Sequence, residues 1–276
     1  MPLRERLNIL IHGEPKSGKT IFAVRRNPGV LVKDTEGSSK FIRGVKREVV
    51  TSMSDMDAVL TRITSGEVNC VVIDTLDELV NNFAMKEVKS KGGDNVKKDG
   101  MLSQSGYGTL RVRVLTLLRA YRDAGADVLC VCHSEIEELP NGGKKWTMKL
   151  PSDYAREVMG MQDIIGFMEK HRGPDGSETR RLNLEKSAMF DAGYRAVYDA
   201  NDDKFYHVIP AQIEDPALVD ILKAYDDFFD GKTKGFVAKC QNCAKKGQDA
   251  DATKEVDGLL LCEQCSVKYY ELTNKK

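Results

Sequence analysis

One stretch constrains this chain more than any other: Gly13-Glu14-Pro15-Lys16-Ser17-Gly18-Lys19-Thr20, placed directly after the apolar run Leu7-Asn8-Ile9-Leu10-Ile11. It satisfies G-x-x-x-x-G-K-[ST] at every fixed position and stands where a strand gives way to a helix. Glycines permit a loop whose backbone N–H groups turn inward, and such a loop opening a helix binds phosphate. The spacing predicts that Lys19 reaches the β- and γ-phosphates of ATP and that the Thr20 hydroxyl holds Mg²⁺. Gly13, Glu14, Pro15, Lys16, Ser17, Gly18, Lys19, Thr20 and Ile21 are therefore the nucleotide-binding candidates.

The order of segments around this loop implies an α/β protein. Strand signals at Val30–Lys33, Cys70–Thr75 and Asp127–Cys132 are separated by helical patterns, the arrangement that gives parallel strands joined by right-handed crossovers. Helices are expected at Thr20–Arg26, ended by Asn27-Pro28-Gly29, at Ser54–Ile63 with Ser54 as N-cap, at Leu76–Val88, at Leu110–Ala124 and at Pro216–Phe229. A hairpin is expected over Glu135–Lys149, turning at Asn141-Gly142-Gly143, and further strands near 163–169, 181–185 and 206–209. Lys89–Gly108, polar and without apolar periodicity, is expected to be a mobile or functional loop.

Lys plus Arg equals Asp plus Glu at 42 each, so any nucleic-acid contact must come from a local patch and not from bulk charge. No run approaches eighteen apolar residues and the first residues carry no secretory h-region, so a soluble, cytoplasmic protein without membrane partners is expected. Cys70, Cys130 and Cys132 lie in apolar runs and read as core thiols of a reducing compartment.

The run Cys70-Val71-Val72-Ile73-Asp74 ends in an acid, as the strand beside a phosphate loop does when it delivers a carboxylate to Mg²⁺. With the loop, this order of motifs resembles the RecA-like P-loop ATPase core, in particular the compact phage-type recombination and single-strand-annealing ATPases, AAA-type nucleotide-binding proteins. The resemblance covers roughly residues 1–229 and implies a mostly parallel central sheet flanked by helices. In Asp34-Thr35-Glu36, at the end of the second strand, it implies Glu36 as the general base that polarises the attacking water from about 3 Å. At the tip of a later strand it implies His133 as a polar sensor of the γ-phosphate. It places two DNA-binding loops at Lys89–Gly108 (Lys89, Lys91, Lys97, Lys98) and Glu135–Lys149 (Lys144, Lys145, Trp146, Lys149), for single-stranded DNA. In Leu182-Asn183-Leu184-Glu185-Lys186-Ser187 it implies that Lys186, with Arg180, Arg181 and Arg195 as alternates, reaches a neighbouring subunit's nucleotide, which requires a homo-oligomer. As a departure from full-length RecA, no separate N-terminal oligomerisation domain is expected.

The C-terminal region stands apart. Cys240-x-x-Cys243 and Cys262-x-x-Cys265 have the spacing of a closed four-thiolate structural Zn²⁺ site, and some forty residues bury too little core to fold otherwise. The expected organisation is a RecA-like core over 1–229, a linker at 230–235 and a zinc-ribbon-like module over 236–276. Lys232, Lys234, Lys239, Lys245, Lys246, Lys268, Lys275 and Lys276, with Phe236, Tyr269 and Tyr270, suit contacts to single-stranded DNA or to a protein partner such as a single-strand-binding protein.

The leading functional expectation is a Mg-dependent ATPase that assembles on single-stranded DNA in recombination or strand annealing. Two alternatives are a nucleotide-switched loading factor with little turnover and a small-molecule P-loop kinase. The second lacks a recognisable Arg-rich lid.

Overall fold

The computed structural model describes residues 5–27, 29–140, 142–173 and 175–273, so Asn141 and Pro28 of the expected turns, and Lys275 and Lys276, lie outside the described residues. The chain divides into two units, one of residues 5–194 and 211–220, the other of 195–210 and the chain from 221 onward.

In the first unit, β1 (Asn8–Gly13) leads through the glycine-rich loop into α1 (Lys19–Val24). Then follow β2 (Leu31–Asp34), β3 (Lys46–Val49), α2 (Met53–Asp57), α3 (Val59–Thr64) and β4 (Cys70–Asp74). A continuous helical stretch comprises α4 (Leu76–Glu78), a π-helical segment (Leu79–Ala84) and α5 (Met85–Ser90). After it come α6 (Gln104–Asp123), β5 (Asp127–Glu138), β6 (Lys144–Met148), α7 (Ser152–Gly160), β7 (Ile164–Arg172), β8 (Glu178–Asn183) and β9 (Gly193–Tyr194).

The main sheet runs β3-β2-β4-β5-β1-β7-β8 and is completed by β12 (Gln212–Glu214) at the edge beyond β8. All pairings from β3 to β7 along this path are parallel; β8, β12, β6 and β9 join antiparallel. β1, β2, β4 and the first half of β5 are buried along their length and apolar in their middles, with polar residues such as Asn8, His12, Lys33, Asp34, Asp74 and Asp127 at their ends, as parallel strands covered on both faces are. Leu10, Leu31, Ile73, Val128 and Cys130 of the sheet pack with Met56, Leu79, Val114, Leu118, Tyr121 and Val158 of the helices in one core. The Tyr121 hydroxyl, in the middle of that core, donates to the Met56 carbonyl and so is not left unpaired.

The second unit pairs β10 (Val197–Asp199), β11 (Lys204–His207) and, after α8 (Leu218–Phe229), β13 (Phe236–Val237). It then carries α9 (Gln241–Ala244), the hairpin β14 (Lys254–Val256) with β15 (Leu259–Leu261), and α10 (Glu263–Thr273). The expected linker at 230–235 thus falls inside this unit, because β13 pairs with β11 across it.

Three local expectations change. The cap of α2 is Ser52, not Ser54: Ser52 and Asp55 form a reciprocal capping box. β3 and α7 had no clear sequence signal, being short and mixed in polarity. Lys89–Gly108 is not a free loop. Ser103 caps α6 by accepting from the Gly106 N–H, so that helix starts six residues before the expected Leu110, and the remaining connection is closed by a bridge between Val96 and Leu102.

The early start of α6 depends on Gly106, where an added Cβ would lie 2.2 Å from the Asn95 carbonyl oxygen, whereas at Gly108 it would meet nothing within 4 Å. Helix propensity alone favours alanine at both sites by about 1 kcal/mol. The packing therefore predicts opposite signs in urea unfolding followed by circular dichroism: Gly108→Ala stabilises by up to about 1 kcal/mol, and Gly106→Ala destabilises by about 1–3 kcal/mol.

Candidate nucleotide site

Parallel register sets the site. Gly13 stands opposite His133, Asp74 opposite Val131, and Asp34 opposite Asp74, so β1, β5, β4 and β2 all deliver chemistry at their carboxyl ends. β5 lies between β1 and β4, which puts His133 between the phosphate loop and the acids of β4 and the turn after it. His133 is the last residue of the pairing of β5 with β1 and not the strand tip expected, since β5 runs on to Glu138 in the hairpin with β6.

The loop itself departs from ordinary backbone at Lys16 (φ 63°) and Gly18 (φ 102°). Gly13 is demanded by close approach, since a Cβ there would lie 2.1 Å from the Met168 carbonyl oxygen of β7. Lys19 is buried at 5% exposure and its Nζ donates to the Gly13 and Glu14 carbonyl oxygens at 2.9 and 2.7 Å. Burial lowers its pKa from the usual lysine value, with the carboxylates of Asp74, Asp77 and Glu36 opposing that shift. Ser17 Oγ, also buried, has no hydrogen-bond partner among the described residues. An orphaned buried donor on a loop of this kind fits a phosphate oxygen. Ile21 follows on α1, half-buried.

Thr20 and Asp74 meet as the sequence implies. The Thr20 hydroxyl donates to the Asp74 carboxylate, at 3.0 Å to Oδ2 and 3.3 Å to Oδ1, and the Ser38 hydroxyl adds a second donor at 2.7 Å. Asp74 is fully buried, and burial raises its pKa against the pull of those two hydroxyls. A buried carboxylate touching a hydroxyl at the start of α1 is a donor set that suits Mg²⁺: both are hard oxygen ligands, and a divalent cation offsets the cost of keeping that carboxylate charged.

The acids of Asp34-Thr35-Glu36 divide their work. Asp34 builds the loop: its carboxylate accepts from Arg47 Nε at 2.6 Å, Ser39 Oγ at 2.6 Å and the Gly37 N–H at 2.6 Å. Its pKa is lowered because these donors outweigh the effect of burial. Thr35 ties β2 to β4, its hydroxyl donating to the Thr75 carbonyl at 3.0 Å and accepting from the Thr75 N–H at 2.6 Å. Glu36 is left to face the site, 3.8 Å from His133 Nε2. Partial burial, and the nearby acids Asp74, Asp77 and Glu78, raise its pKa against the attraction of His133.

His133 is oriented by a residue the sequence reading passed over. Asp77, in the first turn of α4, accepts from the His133 N–H at 3.0 Å and contacts His133 Nδ1 at 3.0 Å. The hydrogen bond to Asp77 raises the His133 pKa despite desolvation, and Glu36 adds to that; burial pushes Asp77 up, but His133 more than offsets it and Asp77 ends below the usual carboxylate range. The only sequence signal for Asp77 was a second acid three residues after Asp74, at the start of a helix.

A second histidine was also missed. His12, the residue before Gly13, is fully buried, with Nδ1 2.9 Å from Ser134 Oγ and Nε2 2.5 Å from the Asp191 carbonyl. Burial draws its pKa down to about 4, so it is a neutral strut between the phosphate-loop strand and β5. Beside it, Phe167 stacks on Phe190 at 4.6 Å and lies 6.3 Å from Trp146.

The model of the AAA domain family matches residues 5–196. The chain belongs to the AAA domain family. The matched span holds the whole of the site just described, from Gly13 to His133. No curated protein matches the chain. Among solved structures, it is similar to the flagellar accessory protein FlaH from Methanocaldococcus jannaschii, at 11% sequence identity and a TM-score of 0.40, over 76% of this chain and 90% of that one.

Residues expected to contact DNA or a neighbouring nucleotide lie elsewhere in this AAA domain. Lys91, Lys97, Lys98, Lys144 and Lys149 are exposed, while Lys145 is engaged with Asp191 at 2.6 Å and Trp146 is half-buried against Phe167. Lys186 is exposed beyond the end of β8. In the second unit, Cys240, Cys243, Cys262 and Cys265 bring their Sγ atoms within 4.8 Å of one another, with Cys243 3.6 Å from Cys265 and 3.9 Å from Cys262. Four sulfurs at 2.3 Å from a tetrahedral Zn²⁺ stand ~3.8 Å apart, so the cluster fits that ion. Among the described residues no helix is long and apolar enough to cross a membrane.

The His133 environment yields a titration test on nucleotide-free protein. NMR of the His133 ring is expected to give a pKa above 6.5, and Asp77→Asn to lower it. Because the folded-state pKa is raised, the associated stabilisation is full below about pH 6.5 and is lost as pH rises through the folded value. Asp77→Asn should therefore flatten the pH dependence of unfolding in that window; an unchanged His133 titration would contradict the pairing.

Proposed function

We propose that this AAA-family protein hydrolyses ATP with Mg²⁺ as a RecA-like ATPase and works on single-stranded DNA in recombination or strand annealing. The observation that carries the reading is the convergence of Lys19, Thr20, Asp74, Glu36 and His133 at one sheet edge, with Asp34 and Asp77 acting as supports.

Mg²⁺, when bound, neutralises charge on the phosphates and draws electrons from the bond to be broken. The residues of the chain do the rest. The loop from Gly13 to Thr20 presents N–H groups to the phosphates, and Lys19 is free to exchange its two carbonyl partners for phosphate oxygens. Thr20 and Asp74 hold the cation. Glu36, kept free because Asp34 does the loop's structural work, accepts the proton of the attacking water; a raised pKa brings it nearer the value at which a carboxylate accepts a proton at neutral pH. His133, fixed by Asp77, points Nε2 toward Glu36 and is the group best placed to register the far end of the triphosphate.

The link to single-stranded DNA rests on the exposed lysines between α5 and α6 and at the β5–β6 hairpin, whose first strand carries His133 at its base. A strand shared by sensor and hairpin gives nucleotide state a direct route to a DNA-facing surface. Lys186 is proposed to act on a neighbouring copy's nucleotide, from its exposed position. Zn²⁺ is proposed to be held by Cys240, Cys243, Cys262 and Cys265 as a structural ion. The residues around it favour a closed site: Cys243 is buried, and Asn242 Nδ2 donates to Cys265 Sγ at 3.2 Å.

Three measurements test these readings. Steady-state ATPase assays should show Lys19→Ala inactive and Glu36→Gln at least about 100-fold slower in kcat with nucleotide binding kept, and single-stranded DNA should raise the wild-type rate. No DNA binding at low salt with Mg·ATP would remove the recombination role. Metal analysis should find one zinc per chain, lost on Cys243→Ser or chelation together with the order of the C-terminal unit; a metal-free, equally stable protein would contradict the zinc site.

A further inference from the structure

Arg180 sits on β8 in an environment unlike that of its neighbours. Lys170 pairs with Glu178, and Arg181 pairs with Glu214 at 2.6 Å. Arg180 points to the other face of β8 from Arg181 and lies on the phosphate loop. A Cβ added to Gly18 would fall 2.2 Å from Arg180 Nε, 2.3 Å from Cδ and 3.3 Å from Cζ, so the arginine stem covers the loop backbone just before Lys19. Its main chain is fixed there by the Asp215 N–H, which donates to the Arg180 carbonyl at 2.7 Å. Yet Nε is buried without a hydrogen-bond partner, and no carboxylate among the described residues pairs with the guanidinium.

A guanidinium is permanently charged, and leaving a buried N–H donor unpaired is costly. On the same loop, Ser17 Oγ is a second buried orphan. Two unsatisfied groups flanking a backbone that binds phosphate call for an anion, and the planar fork of arginine matches phosphate oxygens better than a lysine does. β8 belongs to the same unit as the loop, so the group comes from the chain's own fold and needs no neighbouring copy.

We propose that Arg180 is a further nucleotide-binding residue, supplied in cis by β8, whose guanidinium hydrogen-bonds the phosphate chain of the bound nucleotide. The proposal rests on the reading of Gly13–Thr20 as a Mg·ATP site. It separates Arg180 from Lys186: one serves its own loop, the other stays with the trans role. It also accounts for Gly18 twice over, since the residue must adopt a positive φ and must leave room for the arginine.

Isothermal titration of wild type, Arg180→Gln and Arg180→Lys with Mg·ATP and with magnesium tripolyphosphate tests it, thermal melts confirming that each variant folds. Arg180→Gln should bind both ligands about 10- to 100-fold more weakly, with Arg180→Lys recovering part of the loss. Unchanged binding by either variant would overturn the assignment. So would a loss of ATP affinity with tripolyphosphate binding intact, which would place the guanidinium on the base. A loss that appears only at high protein concentration would assign the arginine to a neighbouring copy and equally overturn it. Should wild type bind neither ligand, the underlying nucleotide site fails and Arg180 with it; should wild type bind and Arg180→Gln bind as well, only the present inference falls.

Discussion

The structure depends on a parallel register that brings the ends of β1, β4 and β2 and the middle of β5 to the same edge. Because β1, β5, β4 and β2 run in one direction and start in step, Gly13, His133, Asp74 and Asp34 arrive together where the pairing of β5 with β1 and β4 stops. A slip of one residue in any pair would move the acids to the other face of the sheet and away from the phosphate loop. Bonds between the strand ends, Thr35 with Thr75 and Thr20 with Asp74, hold the register that apolar runs packed on both faces leave open.

Placing carboxylates at the end of a buried sheet is costly, and the surroundings show how each is kept. Asp34 is surrounded by donors and becomes part of the loop framework. Asp77 is matched to His133. Asp74 has two hydroxyl donors among the described residues and a raised pKa, a balance that suits the cation proposed for it. Glu36 has the least support from hydrogen bonds and reaches solvent. The gradient from fully satisfied to unsatisfied acid follows the proposed division between residues that position and residues that act on the nucleotide.

Much of this was legible in the residues themselves. The glycine-rich loop, the acid ending β4 and the paired cysteines are signals of type and spacing, and the structure brings each set together. The order of strands and helices was readable because the buried parallel strands carry short apolar runs between polar ends. What escaped was of another kind. Asp77 and His12 act through partners far away in sequence, and an acid in a helix's first turn or a histidine in an apolar strand looks ordinary until its partner is known. β3 and α7 were too short and too mixed in polarity to show a period. Gly106 masked the start of α6, since glycine in a polar stretch reads as a loop and only the close approach of the Asn95 carbonyl explains it. The limits of the C-terminal unit were hidden because β11 and β13 pair across α8, a contact no local pattern announces.

The central claim is that the carboxyl edge of this sheet clasps a nucleoside triphosphate. Hydrogen–deuterium exchange with and without a non-hydrolysable Mg·ATP analogue tests it most directly. Protection is expected to concentrate in the amides of Gly13–Thr20 and in the segments that follow β2, β4 and the buried half of β5, at 35–38, 75–77 and 133–134. Unchanged exchange in those four segments at saturating analogue would contradict it.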